Sequence, residues 1–161
     1  MNVKKFKMNG GLNTVEYESG GNVIKLATPD KPEKSLLQAM TAFVSTALGH
    51  FGSVTSAAFY SLSISGSDNT TSQMEVDIPT KYLGNNARVK FPAVSCSAIY
   101  DKNGDVKVDH PQNIYNAALE AFVEQIVRFA SGNRSQAELP FDDEESHAVA
   151  DKFTLFPREA L

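Results

Sequence analysis

The chain has 161 residues, a net charge of −4, 42% hydrophobic and 21% charged residues, and one cysteine. That length suits one domain, which can bury a core without metal or disulfide support. Cys96 alone excludes an internal disulfide and fits a reducing compartment. The start, MNVKKFKMNGG, lacks the apolar run of a signal peptide, and no stretch has the length of a membrane span. The expectation is a cytoplasmic protein without a membrane partner.

The acidity is concentrated at the end. From Ser135 onward seven acids (Glu138, Asp142, Asp143, Glu144, Glu145, Asp151, Glu159) face only Lys152 and Arg158, which leaves residues 1–134 near neutral. The expected organisation is one domain over 1–134 and an acidic tail over 135–161. A near-neutral body does not indicate nucleic acid as a partner. Lys4, Lys5 and Lys7 form a local basic strip, best read as a solvated strand face.

The first 27 residues read as a three-stranded meander. Val3–Met8, Thr14–Glu18 and Val23–Ala27 are separated by Asn9-Gly10-Gly11 and Ser19-Gly20-Gly21-Asn22, and these residue types tolerate the positive φ of tight hairpin turns. Asp30-Lys31-Pro32-Glu33 then predicts a helix start. Asp30 is the expected N-cap, Pro32 lies in the first turn and Glu33 reaches back to the cap. Leu36, Met40, Phe43 and Ala47 follow at helical spacing, and Gly49 is the expected stop. Further strands are expected at Ala57–Ser65, Gln73–Ile78, Arg88–Phe91 and Val94–Tyr100. Lys102-Asn103-Gly104-Asp105 predicts a two-residue hairpin turn before Val106–Val108. A second helix starts at Asp109-His110-Pro111-Gln112, carries Tyr115, Leu119, Phe122, Ile126 and Phe129 on one stripe, and ends near Gly132.

The two helices align without a gap when Asp30 is set against Asp109. The Asp, the Pro, two Ala, a Phe and a Val then coincide. Internal duplication of a meander-plus-helix unit accounts for this, as does the small repertoire of capping residues. Both helices need one surface to cover. The expected fold is α+β, an antiparallel sheet of about seven strands with both helices on one face.

The opposite sheet face would carry Ser61, Ser63 and Ser65, a candidate ligand face that also reads as an ordinary wet surface. No catalytic residues, metal ligands or cofactor-binding residues are expected. His50, His110 and His147 lack metal-ligand spacing, and the acids at 142–145 lack the glycine-containing loop of a calcium site. Cys96 reads as a small buried hydrophobe in a strand. Walker, dinucleotide and nucleophile-elbow motifs are absent from the sequence.

The tail holds the one recognition motif. Gln136-Ala137-Glu138-Leu139-Pro140-Phe141 resembles the hexapeptide by which bacterial proteins dock on the replicative sliding clamp. Leu139 and Phe141 would fill a cleft, Pro140 would pre-organise the extended backbone and Gln136 would bond at the rim. Ala137 is smaller than the residue that pattern usually carries. Phe129, Gly132, Arg134 and Gln136, followed by Leu-Pro-Phe and acids, look like the corresponding stretch of small uncharacterised bacteriophage and prophage proteins. The resemblance implies a non-enzymatic, phage-derived accessory binding protein in the cytoplasm of a bacterial host. Its partner would be a sliding clamp or another replication or recombination protein. Alternatives are a counter-defence protein that binds a host immune protein or sequesters a nucleotide signal, and a minor virion component. Self-association is compatible with each.

Overall fold

The computed structural model describes residues 1–51, 57–66, 70–80 and 86–134. Strands β1 (Asn2–Asn9), β2 (Leu12–Ser19) and β3 (Asn22–Thr28) form the first meander. Its turns are Gly10-Gly11 and Gly20-Gly21, with φ of 58° and 93°, then 59° and 82°. Two consecutive left-handed residues give the turn whose twist matches a hairpin, and a Cβ would be strained there.

Helix α1 (Lys34–Phe51) follows, then β4 (Ala58–Ser65), β5 (Thr71–Pro79), β6 (Asn86–Lys90), β7 (Val94–Ser95) and helix α2 (Pro111–Ala130). The strands form one antiparallel sheet in the order β3-β2-β1-β4-β5-β6, with β7 pairing β5 beyond β6. The α+β architecture and its strand number agree with the sequence reading.

The strand order is that of two meanders placed back to back. β1 and β4 meet at the centre with Phe6 opposite Leu62, and each half extends outward from there. The helices cross over: α1 packs on β4 and α2 packs on β1. They run antiparallel. Ser35 Oγ near the start of α1 donates to Gln125 Oε1 (2.9 Å), and His50 near its end lies 5.4 Å from the Tyr115 ring at the start of α2. In the gap-free alignment, Leu36, Phe43 and Ala47 match Tyr115, Phe122 and Ile126, and all six are buried. The two helices thus bring equivalent buried positions to one shared core over the sheet.

Five local expectations differ from the structure. Asp30 does not cap α1. The helix begins at Lys34, and the Glu33 carbonyl accepts from the backbone of Leu36 and Leu37 (3.1 and 3.2 Å). The Asp30 carboxylate instead meets Arg134 at 3.3 Å, and Glu33 meets Arg128 at 3.4 Å, so the end of α2 takes both expected capping acids. At α2 the cap is His110, not Asp109: its Nδ1 accepts from Gln112 N at 3.1 Å, with Pro111 in the first turn. Gly49 does not stop α1, which continues to Phe51.

The strand expected at Val94–Tyr100 is two residues long. Side chains of α2 replace a partner strand beyond it. Asn113 donates to the carbonyls of Ile99 and Lys107 (2.9 and 2.7 Å) and accepts from Ile99 N (2.9 Å). Asn116 holds the Cys96 carbonyl and Gln112 the Ser95 carbonyl. Backbone groups satisfied in this way need no ladder. The expected two-residue turn at 102–105 is also wider. Asp101 N donates to the Asp105 carbonyl at 2.8 Å, while Asp101 Oδ1 accepts from Asn103 N and Asp105 N.

Candidate functional site

Both central strands carry a bulge at the same place. Pairing shifts between Val3 and Lys5 in β1 and between Phe59 and Ser61 in β4. A bulge adds one residue on one strand and re-aims a side chain. The extra residues are Lys4 and Tyr60. The signal lay in the apolar spacing: Val3, Phe6, Met8 and Phe59, Leu62, Ile64 both step by three and then by two. Strict alternation hides it.

Two cavities are each lined by residues of these two strands and of one helix, at positions that the helix alignment matches. One, about 480 Å³, lies beside α1 and is walled by Met8, Phe59, Met40 and Val44. The other, about 530 Å³, lies beside α2, where Ile64, Val3, Leu119 and Val123 occupy the matching positions. The α1-side cavity is apolar apart from Thr41 and Ser45. The α2-side cavity also carries Lys4, Glu18, Glu120, Asn116 and Cys96.

Lys4 reaches this rim because the bulge lifts it out of the alternation, and its ammonium stands 3.8 Å from Glu18. Cys96 is half-buried and lies outside any strand, correcting the sequence reading. Its sulfur is 3.7 Å from both the Ser72 hydroxyl and the Val94 carbonyl. Burial pushes the thiol above its ordinary range, and the hydrogen bonds with Ser72 offset this only in part. Ser72 is fully buried and shares a 2.7 Å hydrogen bond with the Tyr115 hydroxyl, whose pKa burial also raises. A hydroxyl and a carbonyl cannot take the proton from Cys96, so the thiol has no general base among these partners.

The Ser-rich face divides. Cross-strand pairing puts Lys25, Glu16, Lys5, Ser63 and Gln73 in one row, and Lys7, Ser61, Glu75 and Lys90 in the next. Ser61 is 1% exposed and donates to Glu75 Oε1 at 3.0 Å, so its hydroxyl is occupied. Ser63 is half-buried, and Ser65 is exposed at the end of β4. Tyr60 carries the Arg88 guanidinium 3.4 Å from its ring centre, while Arg88 binds Asp77 at 3.0 and 3.3 Å. Interleaved charges of both signs make this a solvated face with local ion pairing.

Gln136, Leu139, Pro140 and Phe141, the acids at 142–145 and His147 lie outside the described residues. Among the described residues no group of three or more His, Cys, Asp or Glu side chains could hold a metal ion, and no helix is long and apolar enough to cross a membrane. Sequence reasoning missed Lys4 and Glu120 as cavity residues. Lys4 reads as a strand-face lysine, Glu120 carries no motif, and the cavity joins segments over a hundred residues apart. Comparison with protein-family models, curated proteins and solved structures returned no match.

Proposed function

We propose that the chain is a non-enzymatic, phage-derived accessory binding protein acting in bacterial DNA replication or recombination. Its contact is a protein partner engaged through Gln136, Leu139, Pro140 and Phe141, and the sliding clamp is the partner whose docking motif these residues resemble. The observation that carries this reading is how helix α2 ends. Gly132 (φ 111°) terminates α2, with Gly132 N bonded to the Phe129 carbonyl and Asn133 N to the Arg128 carbonyl. That paired pattern closes a helix firmly. Arg134 then pairs with Asp30 and lies 4.9 Å over the Phe129 ring. The chain is thus fixed at Arg134, two residues before Gln136, which supports reading 136–141 as a recognition motif carried next to a rigid helix end.

Calorimetric titration of the full chain with a bacterial sliding clamp tests the proposal. Saturable binding that falls at least about tenfold with Leu139→Ala plus Phe141→Ala is expected. Absence of binding, or binding that the double substitution leaves unchanged, overturns it.

A further inference from the structure

The outer face of α1 is uncharged along its length. Between Lys34 and His50 the helix carries neither acid nor base, whereas α2 exposes Glu120, Glu124 and Arg128. A helix face kept in water ordinarily carries charge. Here Leu37, Gln38, Thr41, Ala42 and Ser45 are exposed instead. The α1-side cavity of about 480 Å³ opens along this face, since Thr41 and Ser45 border both the cavity and the shallow groove beside Leu37. Met8, Met40, Val44 and Phe59 wall it, and methionine side chains adapt to an irregular apolar guest.

Size separates a second copy from a segment of this chain as the cover. The strip is about 27 Å long and about 10 Å wide, on the order of 300 Å², far below the ~800 Å² per partner of a stable dimer. A tethered segment needs less, because effective concentration stands in for area. The sequence beyond Arg134 supplies one. Phe153, Leu155 and Phe156 form an apolar cluster that the docking motif does not use. Arg134 is held at Asp30, just before α1, and the Asp30 carbonyl accepts from Asn13, which pairs with Met8 of the cavity wall. Cavity residues 40–48 lie about 9–21 Å along the helix from Lys34. Nineteen residues separate Arg134 from Phe153, and a coil of that length spans about 24 Å r.m.s.. A tether serves best when its span matches the gap in this way. Charge agrees. Asp142, Asp143, Glu144 and Glu145 come between the anchor and the apolar cluster. The N-terminal end of α1 exposes Lys31 and Lys34 and has no acid in its first turn, while Asp30 and Glu33 are already matched by Arg134 and Arg128. We propose that residues 153–156 dock in the α1-side cavity of the same chain, with the acids at 142–145 beside Lys31 and Lys34. Residues 136–141 stay outside the groove, so this proposal and the clamp reading can fail separately.

A nitroxide attached at Glu159→Cys, in the full chain carrying Cys96→Ser, reports the contact by paramagnetic broadening of amide signals. Expected is selective broadening over residues 40–48 that does not change on dilution. Phe153→Ser plus Phe156→Ser should abolish it, and Lys31→Glu plus Lys34→Glu should weaken it. Ser45→Glu, at an exposed position, should also abolish it while the circular dichroism stays that of the parent. Broadening that fades on dilution would put a second copy in the groove and overturns the proposal. So does broadening that is absent, spread evenly over the domain, centred on residues 119–123, or unaffected by any of these three substitution sets.

Discussion

The rings of Phe43 and Phe122, which hold the same position in the two helices, meet with centroids 5.5 Å apart and planes tilted by 36°. Both are fully buried. Phe122 also meets Phe6 and Phe59 edge-on, at 5.9 and 5.4 Å. Both helices and both central strands therefore meet in one aromatic cluster. Replacing either Phe43 or Phe122 with Ala should cost about 3–5 kcal/mol in urea unfolding. The double substitution should cost less than the sum, because the second truncation removes contacts the first has already lost. Strict additivity would show that the rings do not act together.

Asn113 holds the segment between β7 and α2 with three hydrogen bonds from one buried side chain. Asn113→Ala leaves the Ile99 N–H without its partner, while the Ile99 and Lys107 carbonyls keep the backbone donors Lys107 N and His110 N, and about 1–3 kcal/mol of stability should be lost. Amide exchange at Ile99 should accelerate more than exchange in β1 or β2, since the loss is local. Equal acceleration throughout the domain would point to a global effect instead.

His110 caps α2 through Nδ1, which accepts from Gln112 N. His110→Ala removes that acceptor and should lower stability by about 1 kcal/mol, while His110→Asp supplies a better acceptor and a favourable charge at the helix start. Thermal melts of the two variants should fall on opposite sides of the parent protein. Matching losses in both would mean that His110 contributes through packing.

Burial raises the pKa of both Cys96 and Tyr115, so each is held in its neutral form in the folded chain. The unfolded chain gives up these protons first. Folding stability is therefore intact below the ordinary thiol range and falls as pH rises through the thiol and phenol ranges. Cys96→Ser should flatten the first part of that decline in urea midpoints measured across the alkaline range. An unchanged decline would remove Cys96 as its source.

Much of the fold was legible because its causes are local. Gly10-Gly11 and Gly20-Gly21 fix two hairpins by backbone sterics. The stripes through Phe43 and Phe122 fix two helices and the face each buries. The gap-free match between those stripes also foretold equivalent core positions. Other features depended on competition between distant groups. Asp30 is a good capping residue, but Arg134 lies beside it and takes its carboxylate. Val94–Tyr100 alternates like a strand, but Asn113 and Asn116 satisfy its backbone first. Lys4 reads as a strand-face lysine under strict alternation, and the β1–β2 register places the bulge that brings it to the cavity rim. The sequence by itself determined the first meander with its two glycine turns and the buried stripes of both helices, since each rests on neighbours within a few residues. Tertiary structure alone decided the helix start, the crossing of α1 onto β4 and α2 onto β1, and the divergence of the two cavities. Those outcomes depend on which partners reach a group first when segments far apart in the chain are brought together.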